Sequence, residues 1–157
     1  MKPRIEIINY SEENKEAIKL LNYEWLEKYA KVEAGDIVSL SDPKVEIIDK
    51  GGFIFYAKMN GEIVGTASLL KKSNEIFELG KMAVTESKQG LGIGNMLIEH
   101  CISVAKQNSI SRLILYSNTV LSPAIHLYKK YGFEEITLEQ GLYERANIKM
   151  EKRVSNN

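Results

Sequence analysis

The chain has 157 residues, of which 44% are hydrophobic and 27% are charged, as in an ordinary globular protein. Its 21 basic and 21 acidic residues cancel, so composition supplies no positive field that would recruit nucleic acid. No apolar run reaches the ~20 residues of a membrane span, and the N-terminus lacks the apolar core of a secretory signal. We therefore expect one cytoplasmic domain over residues 1–153 and a frayed tail over 154–157, with no nucleic-acid or membrane partner.

The first half of the chain predicts a strand, two helices and a three-stranded meander. Residues 4–10 predict a short strand, and Ser11 is expected to cap a helix that continues to about Lys31. Residues 33–36 are expected to break that helix, and Pro43 to begin a second one that ends at Gly51-Gly52. The meander that follows turns at Asn60-Gly61 and at residues 73–74, and its antiparallel strands cover 53–59, 62–71 and 75–84.

The second half predicts alternating helices and strands. A helix over 92–108 leads to a continuous apolar run, which is typical of a buried parallel strand. The predicted elements after that first helix are a strand over 112–117, a helix from Ser122 that stops at Gly132, and strands over 133–138 and 146–152. The order predicts an α/β (α+β) domain with a single mixed, mostly antiparallel sheet of about seven strands flanked by helices.

Three glycines lie at the junction between the third meander strand and the next helix, in Gln89-Gly90-Leu91-Gly92-Ile93-Gly94. Glycine leaves backbone N–H groups uncovered where the helix dipole begins, which favours binding of a phosphate or pyrophosphate. The glycine spacing does not match a dinucleotide fingerprint, and the Lys-Ser/Thr pair of a P-loop is absent. The loop therefore predicts a phosphate-bearing ligand of another kind.

The same loop also reads as Gln-x-x-Gly-x-Gly after a strand that ends in Met82-Ala83-Val84. Farther along, the segment 127–133 reads Leu-Tyr-Lys-Lys-Tyr-Gly-Phe. With these motifs in this order, the chain resembles the GCN5-related N-acetyltransferases (GNAT) over nearly its whole length. The resemblance implies the GNAT-like acyl-CoA N-acyltransferase fold. It also implies an enzyme in which a primary amine attacks acetyl-CoA directly, within a ternary complex.

Positions for acetyl-CoA follow from this resemblance, and no metal is expected. The pyrophosphate would lie on the loop, at Gln89, Gly90, Gly92, Gly94 and Asn95. The pantetheine arm would pair with the strand at Met82, Ala83 and Val84, and the N–H of Ala83 or Val84 would face the thioester carbonyl. Asn118 matches a polar position that contacts the pantetheine or the acceptor.

Two residues match catalytic positions of the family. Glu78 is the candidate general base, and strand alternation predicts that it shares a face with Met82 and Val84. Tyr128 is the candidate general acid for the departing thiolate. The attacking nucleophile is expected to be the substrate, because the two histidines and single cysteine form neither a metal site nor a nucleophilic triad.

The acceptor is expected to be a small-molecule amine, such as an amino acid derivative. Candidate contacts are Glu33 and Asp36 for a cationic amine, Arg145 for a carboxylate or phosphate, and Tyr143 as a pocket wall. Several alternatives stay open: a protein N-terminal or lysine acetyltransferase, a non-catalytic acetyl-CoA-binding regulatory module, an O-acyl acceptor, and a water chain as the base. The sheet edges and final hairpin also allow a homodimer.

Overall fold

The computed structural model of the protein describes residues 4–29, 31–140 and 144–154. Within these ranges seven strands form one open sheet, in the order β1-β2-β3-β4-β5-β7-β6. Only the β4–β5 pair is parallel, so the predicted mixed and mostly antiparallel sheet is confirmed. The strands are β1 Ile5–Asn9, β2 Phe53–Met59, β3 Glu62–Lys71, β4 Ile76–Val84, β5 Arg112–Ser117, β6 Glu134–Ile136 and β7 Ile148–Arg153.

The longer helices pack on both faces of the sheet. They are α1 Lys15–Tyr29, α2 Ala34–Ser41, α3 Ile93–Gln107 and α4 Ser122–Lys130. Shorter turns connect them: 3₁₀ turns at Glu12–Asn14 and Glu86–Lys88, and one π-helical turn at Lys44–Ile48. The helix predicted from Ser11 therefore starts with a 3₁₀ turn, and the helix predicted after Pro43 is only the π-helical turn.

The prediction that residues 33–36 merely interrupt helical structure is wrong, because α2 begins there. The backbone N–H of Glu33 donates to Oδ2 of Asp36 at 2.9 Å, so an acidic side chain satisfies a donor at the helix start. The frayed tail is wrong at Val154. Its N–H donates to the Ser111 carbonyl at 2.8 Å and its side chain is buried, while residues 155–157 lie outside the described ranges.

Two apolar cores lie on opposite faces of the sheet. On one face α3 packs against the central strands, with Leu97 and Cys101 fully buried. On the other face α1, α2 and the π-helical turn cover a smaller core, built from Ile18, Leu40, Ile47, Ile54 and Tyr56. None of the helices in the described ranges combines the length and the apolar content that a membrane crossing needs.

Candidate active site

Strands β4 and β5 separate halfway along their length. Their ladder ends at the Glu78–Ile114 pair, although β4 continues to Val84 and β5 continues to Ser117. Among the described residues, no strand pairs with the β5-facing edge of β4 beyond Glu78. An open strand edge of this kind can pair with an extended ligand arm, as the family resemblance implies for pantetheine.

A β-bulge interrupts β4 on its other edge, where it pairs with β3. The register changes between Thr66–Ala83 and Ser68–Gly80, so Lys81 and Met82 both lie opposite one β3 residue. Lys81 adopts a left-handed backbone conformation with φ of +50°. The extra residue reverses the alternation of side chains along the strand.

The bulge explains why one prediction about Glu78 is wrong. Met82 and Val84 pack towards the core under α3. Glu78 instead pairs across the strands with Leu70, which packs on the core under α1 and α2. Glu78 therefore lies on the opposite face of the sheet from Met82 and Val84.

The glycine loop presents a continuous row of free backbone donors. Among the described residues, no group accepts a hydrogen bond from the N–H groups of residues 90–95, and the first helical bond of α3 is donated by Met96. Gly90 and Gly92 adopt φ of +84° and +81°, and a Cβ added to either would meet no protein atom within 4 Å. The glycines therefore serve the backbone conformation and leave the donor row open to a ligand.

This donor row fits a pyrophosphate at the N-terminus of a 15-residue helix. The Gln89 side chain stays on the protein, because its Nε2 donates to the Val84 carbonyl at 3.2 Å. Asn95 likewise uses its side-chain oxygen internally, accepting from Lys130 and from the Tyr131 hydroxyl, both at 2.9 Å. Phosphate binding at these positions would thus rely on backbone amides.

A single cavity of about 910 Å³ begins at this loop and follows the gap between β4 and β5. It contacts most of the residues that the sequence singled out. These are Asp36, Glu78, Met82, Ala83, Val84, Gln89, Gly90, Gly92, Gly94, Asn95, Asn118, Tyr128 and Arg145. Glu33 lies outside the cavity lining, and Tyr143 lies outside the described residues.

Glu78 lies at the buried part of this cavity, with only 4% of its surface exposed. Its Oε1 forms an ion pair with Lys72 Nζ at 3.1 Å, and the lysine side chain is partly exposed. Glu78 shares its face of the sheet with Tyr116, whose hydroxyl donates to Glu139. Burial, the hydrogen bond to Glu139 and the charges of Glu139 and Glu78 all raise the pKa of Tyr116.

Tyr128, on α4, also lines the cavity. Its ring meets Phe133 edge-on with 6.1 Å between centroids, and it packs against the core under α3. Burial raises the pKa of Tyr128 to about 12, so the hydroxyl is protonated at neutral pH. Within the described ranges, no protein group hydrogen-bonds to that hydroxyl.

The residues predicted for the acceptor come together, but they pair with one another. Arg145 donates to Asp36 through two nitrogens, at 2.7 and 3.0 Å, and to Glu33 at 2.6 Å. Lys81 Nζ also donates to Asp36, at 2.9 Å. Asn118 joins this arrangement, because its Nδ2 donates to the Arg145 carbonyl at 2.8 Å.

Asp36 is the centre of this cluster and is almost fully buried, with 1% exposure. Burial alone would raise its pKa. Hydrogen bonds from Arg145, from the Glu33 backbone and from Lys81 outweigh burial and hold the pKa of Asp36 below its usual value. The carboxylate is therefore ionised and fully engaged with protein donors.

The cavity lining also contains residues that sequence reasoning missed, among them Asn22, Lys81 and Tyr116. Asn22 did carry a signal, since it interrupts the apolar stripe of α1 between Ile18 and Leu26. Nothing local marks Lys81, because lysine has no preference for a left-handed backbone. No three His, Cys, Asp or Glu side chains gather at a metal-binding spacing in the part of the chain that is described.

Comparison with known proteins shows which protein family the chain is similar to. A model of the acetyltransferase (GNAT) family matches residues 10–133. The structure of a GNAT-family acetyltransferase from Staphylococcus aureus Mu50 superposes with a TM-score of 0.87, at 24% identity, over 97% of this chain and all of that one. The PaiA N-acetyltransferase of Thermoplasma acidophilum, solved with coenzyme A, superposes at 0.76 and 21% identity, covering 96% and 99% of the two chains.

Two curated relatives match parts of the chain. The streptothricin acetyltransferase of Streptomyces lavendulae is 29% identical over 54% of this chain, and an N-alpha-acetyltransferase of Sulfurisphaera tokodaii is 32% identical over 57%. The chain spans only 46% and 60% of these relatives' own lengths.

The chain belongs to the acetyltransferase (GNAT) family. The predicted family and its fold are therefore confirmed.

Proposed function

We propose that the protein transfers the acetyl group of acetyl-CoA to the primary amine of a small molecule, by direct attack in a ternary complex. One observation carries the proposal: a single cavity connects the free amides of residues 90–95 with Glu78 and Tyr128. An anion seat, an open strand edge and two proton-transferring groups thus lie along one path. Together these features match the phosphates, pantetheine and thioester of one bound acetyl-CoA.

The chain's own groups can supply each part of the reaction. Amides of the loop hold the phosphates, and the N–H of Ala83 or Val84 polarises the thioester carbonyl. Glu78 accepts a proton from the amine, which is mostly protonated at neutral pH when its pKa is near ~10.

Tyr128 assists the leaving group as a hydrogen-bond donor. Its pKa of about 12 lies above the ~8.5 of an ordinary thiol, so complete proton transfer to the thiolate is uphill. A hydrogen bond from the neutral phenol still stabilises the charge that develops on sulfur. Solvent then supplies the final proton to the thiolate.

The ion cluster around Asp36 supports a small acceptor. Arg145 joins Asp36 to the segment before β7, and Asn118 holds the Arg145 backbone. These bonds bound the cavity between α2 and that segment, where an extended polypeptide would need an open groove. A volume of about 910 Å³ lies in the range of small-molecule sites, ~300–1,000 Å³, and leaves room for a small amine beside pantetheine.

A protein N-terminus is the second candidate acceptor. The similarity to an N-alpha-acetyltransferase favours it, just as the similarity to streptothricin acetyltransferase favours a small molecule. The paired state of Arg145, Asp36 and Glu33 favours the small molecule, because these ion pairs bound the cavity where a polypeptide would need an open groove.

A turnover screen tests the proposal. The protein is incubated with acetyl-CoA and two matched panels, small primary amines including amino acid derivatives, and short peptides with free N-termini or lysines. Release of free CoA is followed and the products are identified by mass spectrometry. Acetylation of a small amine is expected. Turnover of peptides alone would establish the second candidate, and binding of acetyl-CoA without any turnover would indicate a non-catalytic module.

A further inference from the structure

The bulge of β4 has an unusual residue at its centre. Lys81 adopts φ of +50°, a left-handed conformation that a non-glycine residue keeps only where its surroundings enforce it. The backbone of Lys81 leads directly into Met82, Ala83 and Val84. Whatever enforces the bulge therefore also sets where the following N–H groups point.

Two buried side chains from the helices on one face of the sheet hold this residue. Asn22 of α1, which is 4% exposed, donates from Nδ2 to the Lys81 carbonyl at 3.2 Å and to the Ile18 carbonyl at 2.8 Å. Asp36 of α2 accepts from Lys81 Nζ at 2.9 Å. The ammonium is itself enclosed, since the Lys81 side chain is 8% exposed.

These two contacts act on different atoms of one residue. Asn22 restrains the peptide unit that joins Lys81 to Met82, and Asp36 restrains the far end of the side chain. Hydrogen bonds to buried partners are the kind of support that keeps a strained backbone in place.

We propose that Asn22 and Asp36 are positioning residues, which clamp Lys81 and thereby aim the N–H of Ala83 or Val84 at the acyl carbonyl of the donor. This inference rests on the proposed function, because it assigns acetyl-CoA to the edge of β4. It assigns no contact with the reacting atoms to Asn22, Asp36 or Lys81. The clamp should thus affect carbonyl polarisation while leaving the phosphate seat at residues 90–95 intact.

Infrared difference spectroscopy of bound acetyl-CoA, labelled with ¹³C at the acetyl carbonyl, measures that polarisation without an acceptor. In the wild-type protein, a hydrogen bond from the strand should shift the carbonyl stretch to lower wavenumber than in free acetyl-CoA. Asn22→Ala and Lys81→Met each remove one arm of the clamp and should lose most of this shift. Their dissociation constants for acetyl-CoA, from calorimetry, should stay within about twofold, because a twofold change is under 0.5 kcal/mol.

Three further variants make the test specific. Lys81→Arg keeps a donor for Asp36 and should retain the shift. Lys81→Gly lacks the ammonium but accepts a left-handed backbone at no steric cost, so it should fold even where Lys81→Met does not. Lys44→Met removes a lysine whose ion pair with Asp49 lies away from the cavity, and it should behave as wild type.

The possible outcomes distinguish failure of the clamp from failure of the proposed function. A full carbonyl shift in folded, acetyl-CoA-bound Asn22→Ala and Lys81→Met proteins would overturn the clamp while leaving acetyl-CoA binding established. Absence of binding, or of any shift, in the wild-type protein would overturn the proposed function and the clamp together. Once a turnover amine is found, the clamp also predicts a kcat lowered by about 10- to 100-fold with little change in KM for acetyl-CoA.

Discussion

Most charged side chains around the cavity are paired with one another before any ligand enters. Asp36 holds two cations, Lys81 and Arg145, while Glu78 pairs with Lys72. A charge removed from water needs such partners. Removing one partner of a buried ion pair costs more stability than the intact pair contributes, because it leaves the other charge buried and uncompensated. At the scale of single residues, these ion pairs therefore leave the charged groups nearly neutral in sum. Glu78 is the carboxylate that lies where β4 and β5 separate.

Replacing Glu78 by Gln removes the base but keeps the size of the side chain. We expect kcat/KM for the amine to fall by about 10²- to 10⁴-fold. Glu75→Gln, at an exposed carboxylate just before β4, is the matched control and should leave kcat/KM unchanged. A wild-type kcat/KM for Glu78→Gln would assign proton removal to water or to another group.

The hydroxyl of Tyr128 is predicted to act only on the leaving group. Tyr128→Phe should lower kcat by about 10²-fold or more while acetyl-CoA binds normally, because the ring keeps its packing on Phe133. Tyr10→Phe, at a tyrosine outside the cavity lining, should change kcat by less than about twofold. Steady-state kinetics and calorimetry on the same preparations make the comparison. A loss of only a few-fold in Tyr128→Phe would reduce Tyr128 to a packing residue.

Asp36 should make stability depend on pH in the acid range. Its pKa is lower in the folded protein than the ~3.9 of an unfolded chain, so its contribution is complete above about pH 4. The contribution is lost as the pH falls below that value through the folded pKa. Asp36→Asn should lower the free energy of unfolding by about 3–5 kcal/mol near neutral pH, because Lys81 and Arg145 lose their carboxylate partner. It should also reduce the fall of stability with decreasing pH below about pH 4.

Urea unfolding between pH 3 and 7 measures this effect. Asp49→Asn is the matched control, because its carboxylate forms an exposed ion pair with Lys44 that is worth at most about 1 kcal/mol. If the free energy of unfolding falls equally steeply with decreasing pH in the wild-type and Asp36→Asn proteins, the lowered pKa of Asp36 in the folded state is contradicted.

At the scale of elements, the loop and α3 can be tested apart from the chemistry. Gly92→Ala should strain the loop by about 1–2 kcal/mol and place a methyl group on the donor row. Loss of one charge-assisted hydrogen bond, worth ~1.5–3 kcal/mol, predicts a dissociation constant for acetyl-CoA raised by about 10- to 100-fold.

Gly35→Ala is the control for that substitution. Gly35 lies in α2 with open space around it and no positive φ, so alanine should leave acetyl-CoA affinity unchanged. Equal affinities for Gly92→Ala and the wild-type protein would remove the loop from the binding site.

Local patterns predicted most elements, and long-range contacts explain the exceptions. The Asn60-Gly61 hairpin, β5 and α3 follow from turn chemistry and apolar periodicity, which act over a few residues. The start of α2 was missed because Glu33 and Asp36 looked like solvated loop acids. Their partner Arg145 is more than a hundred positions away in the chain, and no local pattern announces that pairing.

The bulge of β4 shows the same limit at the candidate site. Strand alternation predicted one face for Glu78, Met82 and Val84, and a single inserted residue at Lys81 divided them between two faces. The support for that residue comes from α1 and α2, so it becomes visible only in the folded molecule. Motif spacing located the cavity, whereas the tertiary structure determined which charges in it are already paired.

At the scale of the whole molecule, the account depends on acetyl-CoA lying along the loop and the open edge of β4. A ¹⁵N–¹H NMR titration with acetyl-CoA, resolved by residue, tests this directly. We expect the largest amide shifts at residues 90–95 and 82–84, and small shifts at Asp42 and Lys44, which lie outside the cavity lining. Saturating acetyl-CoA that leaves the amides of residues 90–95 unchanged, or that shifts amides elsewhere instead, would contradict the central claim.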